Sequence, residues 1–219
     1  WTALVLVASM MFFAYMFVDM LSPLSTLLES TKGWSAENYG TFCSSEYFLN
    51  VFAFFLIFAG IILDKMGIRF TGILSGIVMV IGASIKLYAI SDMFTPDSAL
   101  YRFLDSFWTS FPATAKLASV GFMIFGCGVE MAGVTVSKAI ARWFKGKEMA
   151  LAMGIQVALA RIGSQAAYSI AIPIAKRFEI STPVLIGLVL LVVGMISFFI
   201  FAVMDKKLDA QESAMEDAD

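Results

Sequence analysis

The chain has 219 residues, of which 60% are hydrophobic and 15% charged, with a mean hydropathy of +0.86. A soluble domain carries nearer 25% charged residues to keep its surface solvated, so these proportions exclude an ordinary water-soluble globule. A net charge of −2 and a pI near 5.2 supply no basic field for nucleic acid. The lack of histidine argues against zinc hydrolysis and His-based triads, and two cysteines, Cys43 and Cys127, make neither a disulfide framework nor a metal site.

Trp1 opens inside an apolar run with no initiator Met, basic n-region or small-residue cleavage motif, which reads as a cropped or processed start rather than a signal peptide. Apolar stretches then recur at 2–28, 42–63, 70–90, 117–143, 149–174 and 182–204. Each is near or above the ~20 residues that carry a helix across the hydrocarbon core. The expected fold is therefore all-α membrane, residues 1–204 forming one domain of six transmembrane helices with both ends on one side. The last two stretches carry Arg161 with amides and hydroxyls, as suits helices lining a polar interior.

Basic residues set the orientation. Lys65, Arg69, Arg142, Lys145, Lys147, Lys206 and Lys207 gather at one side in short loops, against Lys32, Arg102, Lys116, Lys176 and Arg177 over longer ones, so the first side is expected to be cytoplasmic. Between Ser91 and Lys116, Thr95 and Pro96 suit a helix start, and Leu100, Phe103, Leu104, Phe107, Trp108 and Phe111 follow at helical spacing. A lipid-contacting loop with an aromatic belt is preferred there over a short interfacial helix. Residues 205–219 read as an acidic cytoplasmic linker, without periodicity from Asp209 onward.

The second and third spans are joined by Gly60-Ile-Ile-Leu-Asp64-Lys65-Met-Gly67-Ile-Arg69. Gly60 and Asp64 share a helix face, so a neighbour can approach while the carboxylate stays at the membrane edge, and Gly67 permits a tight turn. This stretch resembles the signature of the major facilitator superfamily, Gly-x-x-x-Asp-Arg/Lys-x-Gly-Arg/Lys-Arg/Lys, with Ile68 in place of one basic residue. The resemblance implies the N-terminal six-helix half of a secondary transporter, and a conformational latch built from Gly60, Asp64, Lys65, Gly67 and Arg69, with Arg142 as the expected partner of Asp64. The segment from Phe125 to Ser164, FGCGVEMAGVTVSKAIARWFKGKEMALAMGIQVALARIGS, is similar to the lysosomal dipeptide transporter family within that superfamily. That resemblance implies that Glu130 and Arg161 receive the termini of a peptide.

The residues support the same site. Glu130 and Arg161 lie about twelve residues into their helices, roughly 18 Å deep at 1.5 Å per residue, where an ionised group facing lipid costs at least ~2.5 kcal/mol. Both are expected to point inward, either as a mutual ion pair or as separate contacts for the ammonium and carboxylate of a zwitterion. The second is favoured. Ser164, Gln165 and Tyr168 share a face with Arg161, Tyr15, Asp19 and Ser22 share one on the first span, and Asn50 adds an amide. Lys138 is expected to carry its ammonium toward the cytoplasmic interface and Lys86 to snorkel outward. Phe122 stands where many proton-coupled antiporters of the superfamily carry an arginine, so coupling through that residue is excluded, while Asp19 or Glu130 can still titrate.

The expected function is alternating-access transport of small zwitterions, foremost dipeptides, without a cofactor. The expected partners are the lipid bilayer and a second six-helix half, in the same chain or a partner chain. The alternatives are a proton-coupled carrier of organic anions or drugs and a non-transporting membrane scaffold. No enzyme activity is expected, because the polar residues assemble no nucleophile, base and oxyanion set. A plasma or bacterial inner membrane is favoured over a lysosomal one.

Overall fold

A computed structural model describes residues 1–216, and among these every regular element is helical. Helix α1 (Thr2–Asp19) passes through a 3₁₀ turn at Ser22–Leu24 into α2 (Ser25–Lys32). Pro23 stands at the start of that turn, where its missing N–H costs nothing. Gly33 takes the left-handed conformation that ends α2, and Ser35 Oγ accepts from Asn38 N–H to start α3 (Ala36–Phe52). There follow α4 (Phe55–Ile90), α5 (Ala99–Asp105), α6 (Ala113–Trp143), α7 (Met149–Arg177) and α8 (Ser181–Glu216).

Among the described residues five helices are long and apolar enough to cross a membrane, α1 and α2 counting together. The sixth passage is composite. Inside α4, Gly67 has φ 79° and ψ 173°, a combination open essentially to glycine alone, and the chain reverses there. Before it, Glu46 lies against Gly126 and Asp64 against Lys138, so α3 and residues 55–66 run parallel to α6. After it, Met79 meets Gly128 and Gly82 meets Phe125 and Gly121, which is antiparallel. The second passage is thus α3 plus the first leg of α4, broken near Phe54, whose φ is 52°.

Contacts between α4 and α6 are as close as backbones allow. A Cβ on Gly82 would collide with Phe125 N and Gly121 O, and one on Gly121 with Lys86 N and Gly82 O. Small residues make such approaches the main source of packing energy where lipid gives no hydrophobic drive between helices. Helix α1 lies parallel to α7, with Phe12 at Gly163, and antiparallel to α8, with Phe17 at Gly187 and Met10 at Gly194. A buried aromatic run, Trp34, Phe42, Phe122, Phe125 and Phe17, joins α1, α3 and α6, and Trp34 Nε1 donates to Thr114 Oγ1 at 2.9 Å.

The rings of Trp1 and Phe144 meet at 5.3 Å, and Asp205 contacts Arg69 and Arg142, so the first residue, the Gly67 turn, the end of α6 and the last turns of α8 share one end of the bundle. Two expectations are corrected. The connection between Ser91 and Lys116 contains a helix, α5, started by Ser98, whose Oγ accepts from Tyr101 N–H at 3.1 Å, and not by Thr95. Residues 205–216 continue α8 as helix rather than forming an aperiodic linker, because Asp205 and Asp209 stand one turn apart and are held by the same two arginines. Residues 217–219 lie outside the described residues.

Candidate functional site

At the charged end, the helical register of α4, α6 and α8 places three acids and three bases in two groups. Asp64 is 78% exposed and pairs with Lys138 at 2.6 Å. This corrects the expectation that it pairs with Arg142, which lies one turn further along α6 and is taken by α8. The Arg142 and Arg69 guanidinium groups reach Asp205 Oδ2 at 3.4 and 3.3 Å and both bind Asp209, while Trp143 Nε1 donates to Asp205 Oδ1 at 2.9 Å. Asp205 is only 1% exposed. Two arginines and an indole offset the cost of burying its charge. Gly60 is half-buried on the face of Asp64, Lys65 is exposed and makes no ion pair among the described residues, and Gly67 supplies the reversal.

Sequence reasoning missed Asp205 and Asp209 because they follow the last apolar run and read as the start of a tail. Their spacing of four, opposite a basic turn, was the available signal.

Further into the bundle, the structure brings Arg161, Glu130 and Asp19 of the predicted site residues toward Tyr15. The Arg161 guanidinium lies 5.4 Å from the centre of the Tyr15 ring, in cation–π range. Tyr15 is also within electrostatic reach of Glu130, Glu46 and Asp19. Glu130 is half-buried on α6 and Arg161 exposed on α7, and no ion pair joins them among the described residues. Gln165 and Tyr168 follow Arg161 along one exposed face of α7. Asp19, toward the far end of α1, accepts from Ser22 Oγ at 3.4 Å, which in turn accepts from the Tyr39 hydroxyl at 3.4 Å. Asn50 stands one turn from Glu46 on α3. Both polar atoms of its amide, and the Ser164 hydroxyl, are sealed from outside without a hydrogen-bond partner among the described residues. Buried amides are seldom left so.

Two buried charged residues near this region were not placed there by the sequence, Lys86 and Glu46. Lys86 is fully buried, which corrects the expectation that it snorkels outward. The close α4–α6 contact at Gly82 and Gly121 turns its position into the junction of α1, α3 and α6, so the stem cannot reach an interface. Its ammonium lies 4.1, 4.7 and 5.3 Å from the ring centres of Phe122, Phe17 and Phe42 and donates to Phe17 O at 3.5 Å. Desolvated cation–π contacts of this kind contribute about 2 kcal/mol or more. Glu46, 6% exposed, is the carboxylate with the largest electrostatic influence on Lys86 and also feels Glu130 and Asp19. A carboxylate inside the polar run Cys43-Ser-Ser-Glu46 at mid-passage was the signal that pointed to it.

Comparison with known proteins finds relatives of one kind. The lysosomal dipeptide transporter MFSD1 of Gallus gallus is 41% identical over 66 residues, 30% of this chain and 13% of that protein. The proteins of the same name from Bos taurus and Homo sapiens are each 32% identical over 108 residues, 49% of this chain and 19% of each relative. The matched stretches thus span about a fifth or less of these relatives' length. No solved structure matches. The Major Facilitator Superfamily pattern matches residues 7–218, and with an all-helical bundle of apolar spans consistent with half of that fold, the chain is an integral multi-pass membrane protein that belongs to the Major Facilitator Superfamily.

Proposed function

We propose that this chain forms one half of a secondary transporter that moves small zwitterionic solutes, dipeptides foremost, by alternating access at a midplane site. The observation that carries this reading is that Glu130 and Arg161 stand near the same tyrosine on α6 and α7 without pairing with each other. Two opposite charges inside a membrane protein that do not neutralise one another are available to a ligand bearing both charges. Glu130 takes the ammonium, and Arg161 clamps the carboxylate through its planar fork. Tyr15, Asn50, Gln165, Tyr168 and Asp19 supply the hydrogen bonds around the backbone of the solute. The similarity to lysosomal dipeptide transporters supports the same substrate class.

The charged end serves as the latch. Asp64 with Lys138, and Asp205 and Asp209 with Arg69 and Arg142, tie α4, α6 and α8 together on one side of the midplane. A second six-helix half closes the site and rocks against this one.

The test compares four forms of one dipeptide, zwitterionic, N-acetylated, C-amidated and doubly blocked, by competitive uptake in the complete transporter. Glu130→Gln is expected to lose zwitterion binding yet to be much less sensitive to N-acetylation, and Arg161→Gln to show the mirror pattern with amidation. Leaving one charge unpaired in a dry site costs ~3–5 kcal/mol. If each substitution weakens all four ligands by the same factor, the charges hold helices together and the peptide assignment is withdrawn.

A further inference from the structure

We propose that a cavity between α3, α5 and α6 binds a rigid, uncharged membrane lipid carrying a single hydroxyl, of the sterol type. The cavity has a volume of about 350 Å³, within the range of small-molecule sites. None of the proposed zwitterion contacts lines it, and on α6 its lining residues Lys116 to Met123 all precede Glu130, Met123 by roughly 10 Å at 1.5 Å per residue.

Its shape and chemistry select the occupant. Phe107, Trp108 and Phe111 form one wall, with Phe48 of α3 also lining the space. These are flat, apolar surfaces suited to a rigid polycyclic body. Ser119 lines the same cavity, is only 7% exposed, and its Oγ is sealed from outside with no partner among the described residues. The α3 hydroxyls that line it have already spent their protons: Thr41 donates to Glu37 O, Ser44 to Thr41 O and Ser45 to Phe42 O. They keep only lone pairs. A ligand hydroxyl, able to donate and accept, satisfies Ser119, and a plain acyl chain does not.

The one lysine at the cavity is poorly placed for an anionic headgroup, being only 6% exposed. Lys116 lines the cavity, but its ammonium donates to the carbonyls of Leu104 and Phe107 and lies 4.6 Å from the Phe107 ring centre. The source is the bilayer itself, since α5 presents Leu100 and Phe103 to the outside beside the exposed Phe107 and Trp108, as an interfacial helix does.

The experiment places the complete transporter in phosphatidylcholine vesicles with a photoactivatable cholesterol analogue and maps the labelled peptides. Labelling of residues 41–48 and 104–123 that free cholesterol displaces is the expected result, with 3-deoxy cholesterol competing at least fivefold less well. Ser119→Ala, which removes one hydrogen bond and little volume, is expected to weaken cholesterol competition about fivefold. Val120→Trp, at an exposed lining position, fills the space and is expected to abolish displaceable labelling while the protein still elutes as a folded monodisperse species. The proposal is overturned if a photoactivatable fatty acid labels the same peptides and competes equally well, or if the deoxy compound matches cholesterol.

Discussion

Asp205→Asn is expected to destabilise the protein, whereas Asp64→Asn, in the motif that names the superfamily, is expected not to. Asp205 is 1% exposed and accepts from Arg69 at 3.3 Å, Arg142 at 3.4 Å and the Trp143 indole at 2.9 Å. The amide keeps the indole contact and loses two charge-assisted ones, each worth about 1.5–3 kcal/mol when well formed. Both distances are long, the two arginine side chains are 40% and 30% exposed, and Asp209 still binds them. The loss should therefore fall near ~2–3 kcal/mol in total, or about 4–12 °C in Tm for a chain of this size. Asp64 and Lys138 are 78% and 43% exposed, and an exposed pair contributes only ~0–1 kcal/mol. Thermal unfolding of the purified protein followed by tryptophan fluorescence measures both, since Trp143 reports on the site directly. Transport should fall in both variants, through a shifted balance of states for Asp64→Asn. Equal Tm losses, or an Asp205→Asn protein within about 1 °C of wild type, would refute the idea that burial decides which acid holds the helices and which only tunes the latch.

Lys86→Met should destabilise by about 2 kcal/mol, because the ammonium's contacts with three phenylalanine rings are lost, and a thermal double-mutant cycle with Glu46→Gln should show coupling between the two charges; strict additivity would show the two groups to be uncoupled. Gly67→Ala should cost about 1–3 kcal/mol, since φ 79° with ψ 173° suits glycine alone, and chemical denaturation in mild detergent would detect it. Gly82→Val should be worse than Gly67→Ala, because its side chain meets the backbone of α6 rather than open space, and poor recovery of folded protein on size-exclusion chromatography is the readout. Cysteines at Gln165 and Tyr168 should react readily with a water-soluble thiol reagent and one at Ala167 should not, because the first two side chains are exposed and Ala167 is fully buried against α1; equal rates would place this face of α7 away from any aqueous cavity.

Composition and apolar run length alone determined that the chain is a membrane-embedded helical bundle, since no other fold hides so many apolar residues while satisfying its backbone internally. Local spacing also determined the Gly60–Arg69 turn, whose central glycine takes the expected unusual conformation, and the placement of Arg161, Gln165 and Tyr168 on one face. Both are short-range properties, governed by backbone sterics and the helical repeat. Only the tertiary structure decided which charges meet. Asp64 was matched to Arg142 because the superfamily resemblance implies a latch and Arg142 ends the fourth span on the same side, but the offset between α4 and α6 delivers Lys138 instead. Lys86 lies in an apolar span like any snorkelling lysine, yet the Gly82–Gly121 contact presses it under three phenylalanine rings. Asp205 became the hub of the charged end because α8 continues beyond its apolar run and carries that carboxylate inward against α4 and α6. Such pairings depend on the relative register of helices far apart in sequence, set by interlocking side-chain volumes that no single helix encodes.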